Sequence, residues 1–145
     1  VVDGVRIADG EAALGTLVDP AFDPQREVVL PAGVARPAGE GPAGTATLQR
    51  LESDSVEVAA DVRRDGRLVL VDAYDPGWRA DVDGRPVEIE RANVAFRAVA
   101  VPPGRHVVTF RYRPRAVGVG LAVSALALVA VAVLLRGPLR GREPC

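Results

Sequence analysis

From residue 55 to residue 63 the chain alternates: Val56, Val58, Ala60 and Val62 fall on one side, and Glu57, Asp61 and Arg63 on the other. A period of two marks a strand with one buried face. The pattern recurs downstream. Trp78, Ala80 and Val82 alternate with Arg79, Asp81 and Asp83, while Val87 and Ile89 alternate with Glu88 and Glu90. Val108, Phe110 and Tyr112 share one face of residues 106–113. Residues 45–52 and 95–101 are further strand candidates, and the unbroken apolar run 68–71 reads as a central strand. Asp65-Gly66 and Asp83-Gly84 predict tight hairpin loops, because Asp-Gly readily adopts positive φ. Pro76-Gly77 predicts a type II turn with glycine at the positive-φ position, and Pro102-Pro103-Gly104 turns the chain into its last strand. Seven or eight short strands at this spacing predict a mainly β protein built as an antiparallel β-sandwich.

The flanks read differently. Residues 1–7 are β-prone, 10–18 fit two helical turns with Asp9 as N-cap, and 28–30 form a brief apolar strand. Asp19-Pro20 ends the helix, and Phe22 is expected to anchor the loop after it. Residues 31–44 hold three Pro and four Gly without any period, which predicts a loop. At the other end, 117–135 is nineteen residues without a charge, eleven of them Val or Leu. At about 1.5 Å per residue it reaches roughly 28 Å, near the ~30 Å hydrocarbon thickness of a bilayer. Its Val and Leu residues favour insertion by roughly 3 to 7 kcal/mol. The expected organisation is therefore an N-terminal segment over 1–30 with a short helix and an edge strand, and a Pro/Gly-rich loop over 31–44. A β-sandwich core over 45–115, a single C-terminal transmembrane helix over 116–136 and a short basic tail over 137–145 follow. Only Arg113-Pro114-Arg115 separates the last strand from the span, so the sandwich is expected close to the membrane surface.

Charge sharpens this division. Residues 1–110 carry 18 acidic groups against 12 Arg, whereas 111–145 carry six Arg against Glu143 alone. An acidic domain beside a basic membrane flank argues against nucleic acid, which calls for a basic stripe on the folded domain. All 18 basic residues are Arg. Arg111, Arg113 and Arg115 precede the span while Arg136, Arg140 and Arg142 follow it, so the positive-inside rule does not choose an orientation. Cys145 and His106 are the only cysteine and histidine, which leaves neither an intrachain disulfide nor a zinc site. The chain starts at Val1 without an export signal, and sequence upstream of Val1 is expected.

Candidate chemistry is sparse. Asp81 and Asp83 at i and i+2 could hold a divalent ion, but Asp83 belongs to a turn and Asp81 to a polar strand face, and no calcium-loop spacing follows. His106, just after a Pro-Pro-Gly turn, reads as a solvated turn residue rather than a general base. Tyr74 and Trp78, at either end of the Asp75-Pro76-Gly77 bend, read as an aromatic core corner or as a platform for a glycan or a partner. Asp81 and Asp83 join them as candidate contacts, and Asp72 and Asp75 read as a solvated acidic rim. In the span, Gly118/Ala122 and Gly120/Ser124 are small pairs four apart that permit close helix contact. No catalytic, cofactor-binding or metal-ligating residue is assigned.

The run 74–114 followed directly by a hydrophobic span resembles the C-terminal end of YfhO-like bacterial membrane proteins. The matching elements are Tyr74 with Pro76-Gly77-Trp78, then Asp83-Gly84, Asn93, Phe96-Arg97, Pro103-Gly104 and Phe110-Arg111-Tyr112. Residues 14–30, with Asp19-Pro20-Ala21-Phe22-Asp23-Pro24, are similar to the segment just upstream in that family. The resemblance implies a large multi-pass protein of the GT-C glycosyltransferase type, moving a sugar from a polyprenyl-phosphate donor to a cell-envelope polymer. It implies an extracytoplasmic β-domain, a cytoplasmic tail and packing of the span against other membrane helices of the parent. The catalytic acids of such proteins lie near N-terminal helices that this stretch does not contain, so none transfers to a position here. The competing reading is a non-catalytic, tail-anchored β-sandwich serving adhesion or scaffolding.

Overall fold

The computed structural model describes residues 1–136; the basic tail expected over 137–145, with Cys145, lies outside the described residues. In chain order the elements are β1 (Gly4–Ile7), α1 (Gly10–Leu17), β2 (Glu27–Leu30), β3 (Gly44–Leu51), β4 (Ser55–Val62), β5 (Gly66–Ala73), β6 (Trp78–Val82), β7 (Arg85–Val87), β8 (Glu90–Ala92), β9 (Phe96–Val101), β10 (Gly104–Tyr112) and α2 (Arg115–Arg136). Val1–Arg113 form one unit and the chain from Pro114 a second.

Two antiparallel sheets build the first unit, one of order β3-β4-β10-β6-β7 and one of order β5-β9-β8. Their inner faces share a core of Val56, Val58 and Val62 from β4, Val108 and Phe110 from β10, Ala80 and Val82 from β6, and Leu68, Val99 and Val101 from the smaller sheet. These are the alternating positions of the sequence, and fully burying each Val, Leu or Phe contributes about 1.5–3 kcal/mol. The mainly β sandwich expected from the alternation is the fold observed.

Strand β9 has a second buried side. Ala98 and Phe96 face a cluster of Val2, Val5, Val28, Leu30 and Ala92. That cluster is closed by β1 and β2, which pair in parallel from Gly4↔Glu27 to Ile7↔Leu30. Both margins of the pair are tied to the smaller sheet. Val2 N–H donates to Arg67 O at 3.0 Å, and Asn93 N–H donates to Val29 O at 2.8 Å. The Asn93 side chain accepts from Val29 N–H at 2.8 Å. Two short strands are not stable alone; these persist because Val28, Val29 and Leu30 are all buried. The 31–44 loop is held by Asp3, which accepts from Gly39 N–H and from the Arg64 guanidinium.

Four local expectations change. Asp65-Gly66 is not a hairpin: β4 pairs with β3 and β10 while β5 pairs with β9, so the turn carries the chain between sheets. Gly66 is required for a different reason, since a Cβ there would lie 2.7 Å from Val2 O. The run 68–71 is not central, because β9 holds that position and β5 borders it. Leu68 and Val69 look apolar together because they pack on different cores. Residues 87–90 do not continue one strand; the chain leaves the larger sheet after Val87 and enters the smaller at Glu90. Gly77 is absent from the positive-φ glycines, so Pro76-Gly77 is not a type II turn. By contrast, Asp83 (φ 53°) and Gly84 (φ 76°) form the type I′ hairpin that Asp-Gly predicts.

In the second unit, α2 is 22 residues long, about 33 Å at 1.5 Å per residue. The stretch Ala116–Arg136 carries no charge before Arg136 and is exposed along its whole length. A helix apolar on every side and uncovered by protein is stable in lipid rather than in water. It is long enough to cross a membrane.

Candidate functional site

The end of the sandwich where β5 hands over to β6 carries an aromatic corner around one buried cation. Arg97 is fully buried. Its guanidinium lies 3.7 Å from the centroid of the Trp78 ring and 5.6 Å from that of Phe110. Nη2 donates to Asp72 Oδ2 at 2.7 Å and Nη1 to Ala73 O at 3.1 Å, while Nε has no partner among the described residues. Burial pulls the Arg97 pKa below its ordinary value and Asp72 opposes that shift. The two aromatic faces supply the remaining compensation, since a desolvated cation over an indole is worth about 2 kcal/mol.

Tyr112 completes the corner, its ring centroid 5.2 Å from that of Trp78. The turn beneath is held by Asp75, whose carboxylate accepts from Gly77 N–H at 2.7 Å and whose carbonyl accepts from Trp78 N–H at 3.1 Å. A Cβ on Gly77 would stand 2.6 Å from the Tyr112 ring, so the glycine serves close approach rather than positive φ. Trp78 is half-buried, against the sandwich core on one side. On its outer side a cavity of about 280 Å³ is lined by Tyr74, Trp78, Val87 and Ile89 among others.

The opposite end of β6 carries a charged pair. His106 Nδ1 lies 2.7 Å from Asp83 Oδ2 and its Nε2 3.4 Å from Pro103 O. Both ring nitrogens therefore face oxygen acceptors, an arrangement satisfied by the imidazolium. The Asp83 hydrogen bond raises the His106 pKa above its ordinary 6.5 against a smaller opposing effect of burial. Reciprocally, hydrogen bonds from His106 and from Val107 N–H hold Asp83 below 3.8. The His106 contribution to stability is complete below pH 6.5 and is lost as pH rises through the folded pKa above it; the Asp83 contribution is lost only in acid. We expect the ring protons of His106, the sole histidine, to titrate above pH 6.5, and Asp83→Asn to return that midpoint to 6.5 or lower. A wild-type NMR midpoint at or below 6.5 contradicts the pairing.

The four contact candidates thus occupy three places. Tyr74 and Trp78 share the aromatic corner. Asp81, on the face of β6 opposite Trp78, accepts from Arg111 Nη1 at 2.8 Å. Asp83 stands five residues beyond Trp78, about 17 Å along an extended strand. Among the described residues no group of three or more His, Cys, Asp or Glu gathers in a way that could hold a metal ion. Sequence reasoning missed two features. Arg97 shares its face with Val99 and Val101, and that spacing already places it inward. The His106–Asp83 pair had no sequence signal, because the residues are 23 positions apart and meet only through β6–β10 pairing.

An antiparallel sandwich joined to an exposed apolar helix defines a membrane protein with a folded β-domain. Residues 43–124 match the family described as bacterial membrane protein YfhO, and the chain belongs to that family. The matched stretch opens just before β3 and ends inside α2, so the upstream resemblance over 14–30 lies outside it. Neither the curated proteins nor the solved structures contain a match to the chain.

Proposed function

We propose that this chain is the C-terminal extracytoplasmic β-domain and last membrane helix of a multi-pass, polyprenyl-phosphate-sugar-dependent glycosyltransferase acting on cell-envelope polymers. In that protein the domain is an accessory, non-catalytic part. The observation that carries the reading is the family match running through the sandwich and on into an apolar helix. The engagement of the polar residues supports an accessory role: Asp81 is paired with Arg111, Asp83 with His106, and Asp72 with Arg97. Tyr74 and Trp78, at the rim of the outer cavity, are the proposed contacts for a glycopolymer or a partner domain. Asp81 and Asp83 would contribute at most from the opposite face and the far turn.

Three measurements test this. The gene upstream of Val1 should encode many further hydrophobic spans; a signal peptide directly before Val1 favours the tail-anchored adhesion or scaffold module instead. In proteoliposomes given a radiolabelled polyprenyl-phosphate hexose and envelope polymer, the parent should transfer sugar and the 145-residue chain should not. Transfer by the chain alone overturns the accessory role, and no transfer by the parent overturns the transferase reading. Cys145 should react with a membrane-impermeant maleimide only after permeabilisation, and labelling in intact cells reverses the orientation.

A further inference from the structure

The solvent face of the larger sheet carries a groove of about 340 Å³ over β3, β4 and β10, away from the aromatic corner. Its floor is short and partly apolar. Thr47, Ala59 and Val107 stand side by side in register across the three strands, and Val107 is 43% exposed. One wall is the edge strand β3, which presents Thr45, Thr47 and Gln49, all exposed. The rest of its rim, from Asp61 beside Thr45 across β10 to Asp83, makes a wall that holds charge in matched pairs. Arg105 Nε lies 3.4 Å from Asp61 Oδ2, and His106 Nδ1 lies 2.7 Å from Asp83 Oδ2.

That combination narrows the ligand. Each cation in the wall is already paired with a carboxylate, so there is no surplus positive charge to hold a phosphate or a polyanion, for which unpaired Arg and Lys are used. Hydroxyl and amide groups are donors and acceptors at once. Small apolar floor residues offer a surface for C–H groups. A neutral ligand that is rich in hydroxyls yet has apolar ring faces meets all three conditions, and the volume falls within the range of small-ligand sites. We infer that this groove binds a neutral oligosaccharide, with Thr45, Thr47 and Gln49 supplying the exchangeable hydrogen bonds and Ala59 and Val107 the ring contact. The site does not depend on the transferase reading. It needs only the sandwich.

His106 lies in the groove lining and is the sole histidine, so its ring signal is a built-in reporter. The test uses the full chain in detergent micelles, screened against an array of neutral and anionic oligosaccharides and a set of strand-forming peptides, and then titrated by NMR with each hit. At least one neutral oligosaccharide should bind and shift the His106 resonance. A Thr45→Ala/Thr47→Ala/Gln49→Ala variant, altered only at exposed edge positions, should bind it at least tenfold more weakly, about 1.4 kcal/mol. Val18→Ala, at an exposed position outside the groove, should leave the affinity unchanged. Three outcomes overturn the inference: no neutral oligosaccharide binds, binding is confined to anionic glycans or strand-forming peptides, or the triple variant binds as the natural chain does. None of these bears on sugar transfer by the parent, so the two readings fail separately.

Discussion

Arg97→Ala should lower the stability of the sandwich by about 3–5 kcal/mol, the cost of emptying a large, fully buried side-chain site. The residue fills the gap between Trp78 and Phe110 and ties the end of β5 to β9 through Asp72 and Ala73. Truncation removes the packing stem together with the cation, and leaves the indole face without its partner. Trp78 is the only tryptophan, so urea unfolding followed by its fluorescence reports at the site itself. Two companions separate packing from charge. Arg97→Met keeps most of the volume and should recover most of the loss, because apolar replacements of buried ions are often neutral or stabilising. Asp72→Ala should cost only about 1–2 kcal/mol, since the carboxylate is half in water and its pairing is screened. An Arg97→Ala variant within 1 kcal/mol of the natural chain would show the corner to be dispensable.

A charge at the middle of α2 should be nearly as damaging to membrane integration. Leu126 lies at the centre of Arg115–Arg136. Leu126→Arg adds about 2.5–3.5 kcal/mol against insertion and removes a favourable leucine. The whole run supplies roughly 3 to 7 kcal/mol, so one substitution cancels half or more of it. The fraction of chain resisting alkaline extraction from membranes should fall severalfold. The same change at Leu135, one residue from the helix end, should have little effect because arginine there reaches the headgroup layer. Equal extraction of the two variants would argue that other parts of the parent hold this helix in the bilayer.

Much of the site was hidden for reasons particular to its residues. The corner depends on Arg97 of β9 lying under Trp78 of β6, 19 positions away in sequence, and the two strands belong to different sheets that meet by face-to-face packing rather than by pairing. The Asp-Gly pairs show the same limit at short range. Residues 83–84 form the expected hairpin while 65–66 carry the chain across the sandwich, although the dipeptides are identical. A turn dipeptide states what φ angles are cheap, and does not state which strand comes next. Gly66 and Gly77 were legible as turn residues, yet each is required by the approach of Val2 O or the Tyr112 ring.

Local periodicity was enough to determine the class of this protein. Alternation at 56–62, 78–82 and 108–110 specified inward faces, and an uncharged run of bilayer length specified a membrane helix, because both depend only on the geometry of one element and the transfer of its side chains from water. The tertiary structure alone decided which strands pair, that β1 and β2 run parallel against a second core, and that the Arg97 cation sits between Trp78 and Phe110 with Asp72 as its counter-ion. Pairing, register and charge compensation are contacts between distant residues, and their energies belong to no single stretch of sequence.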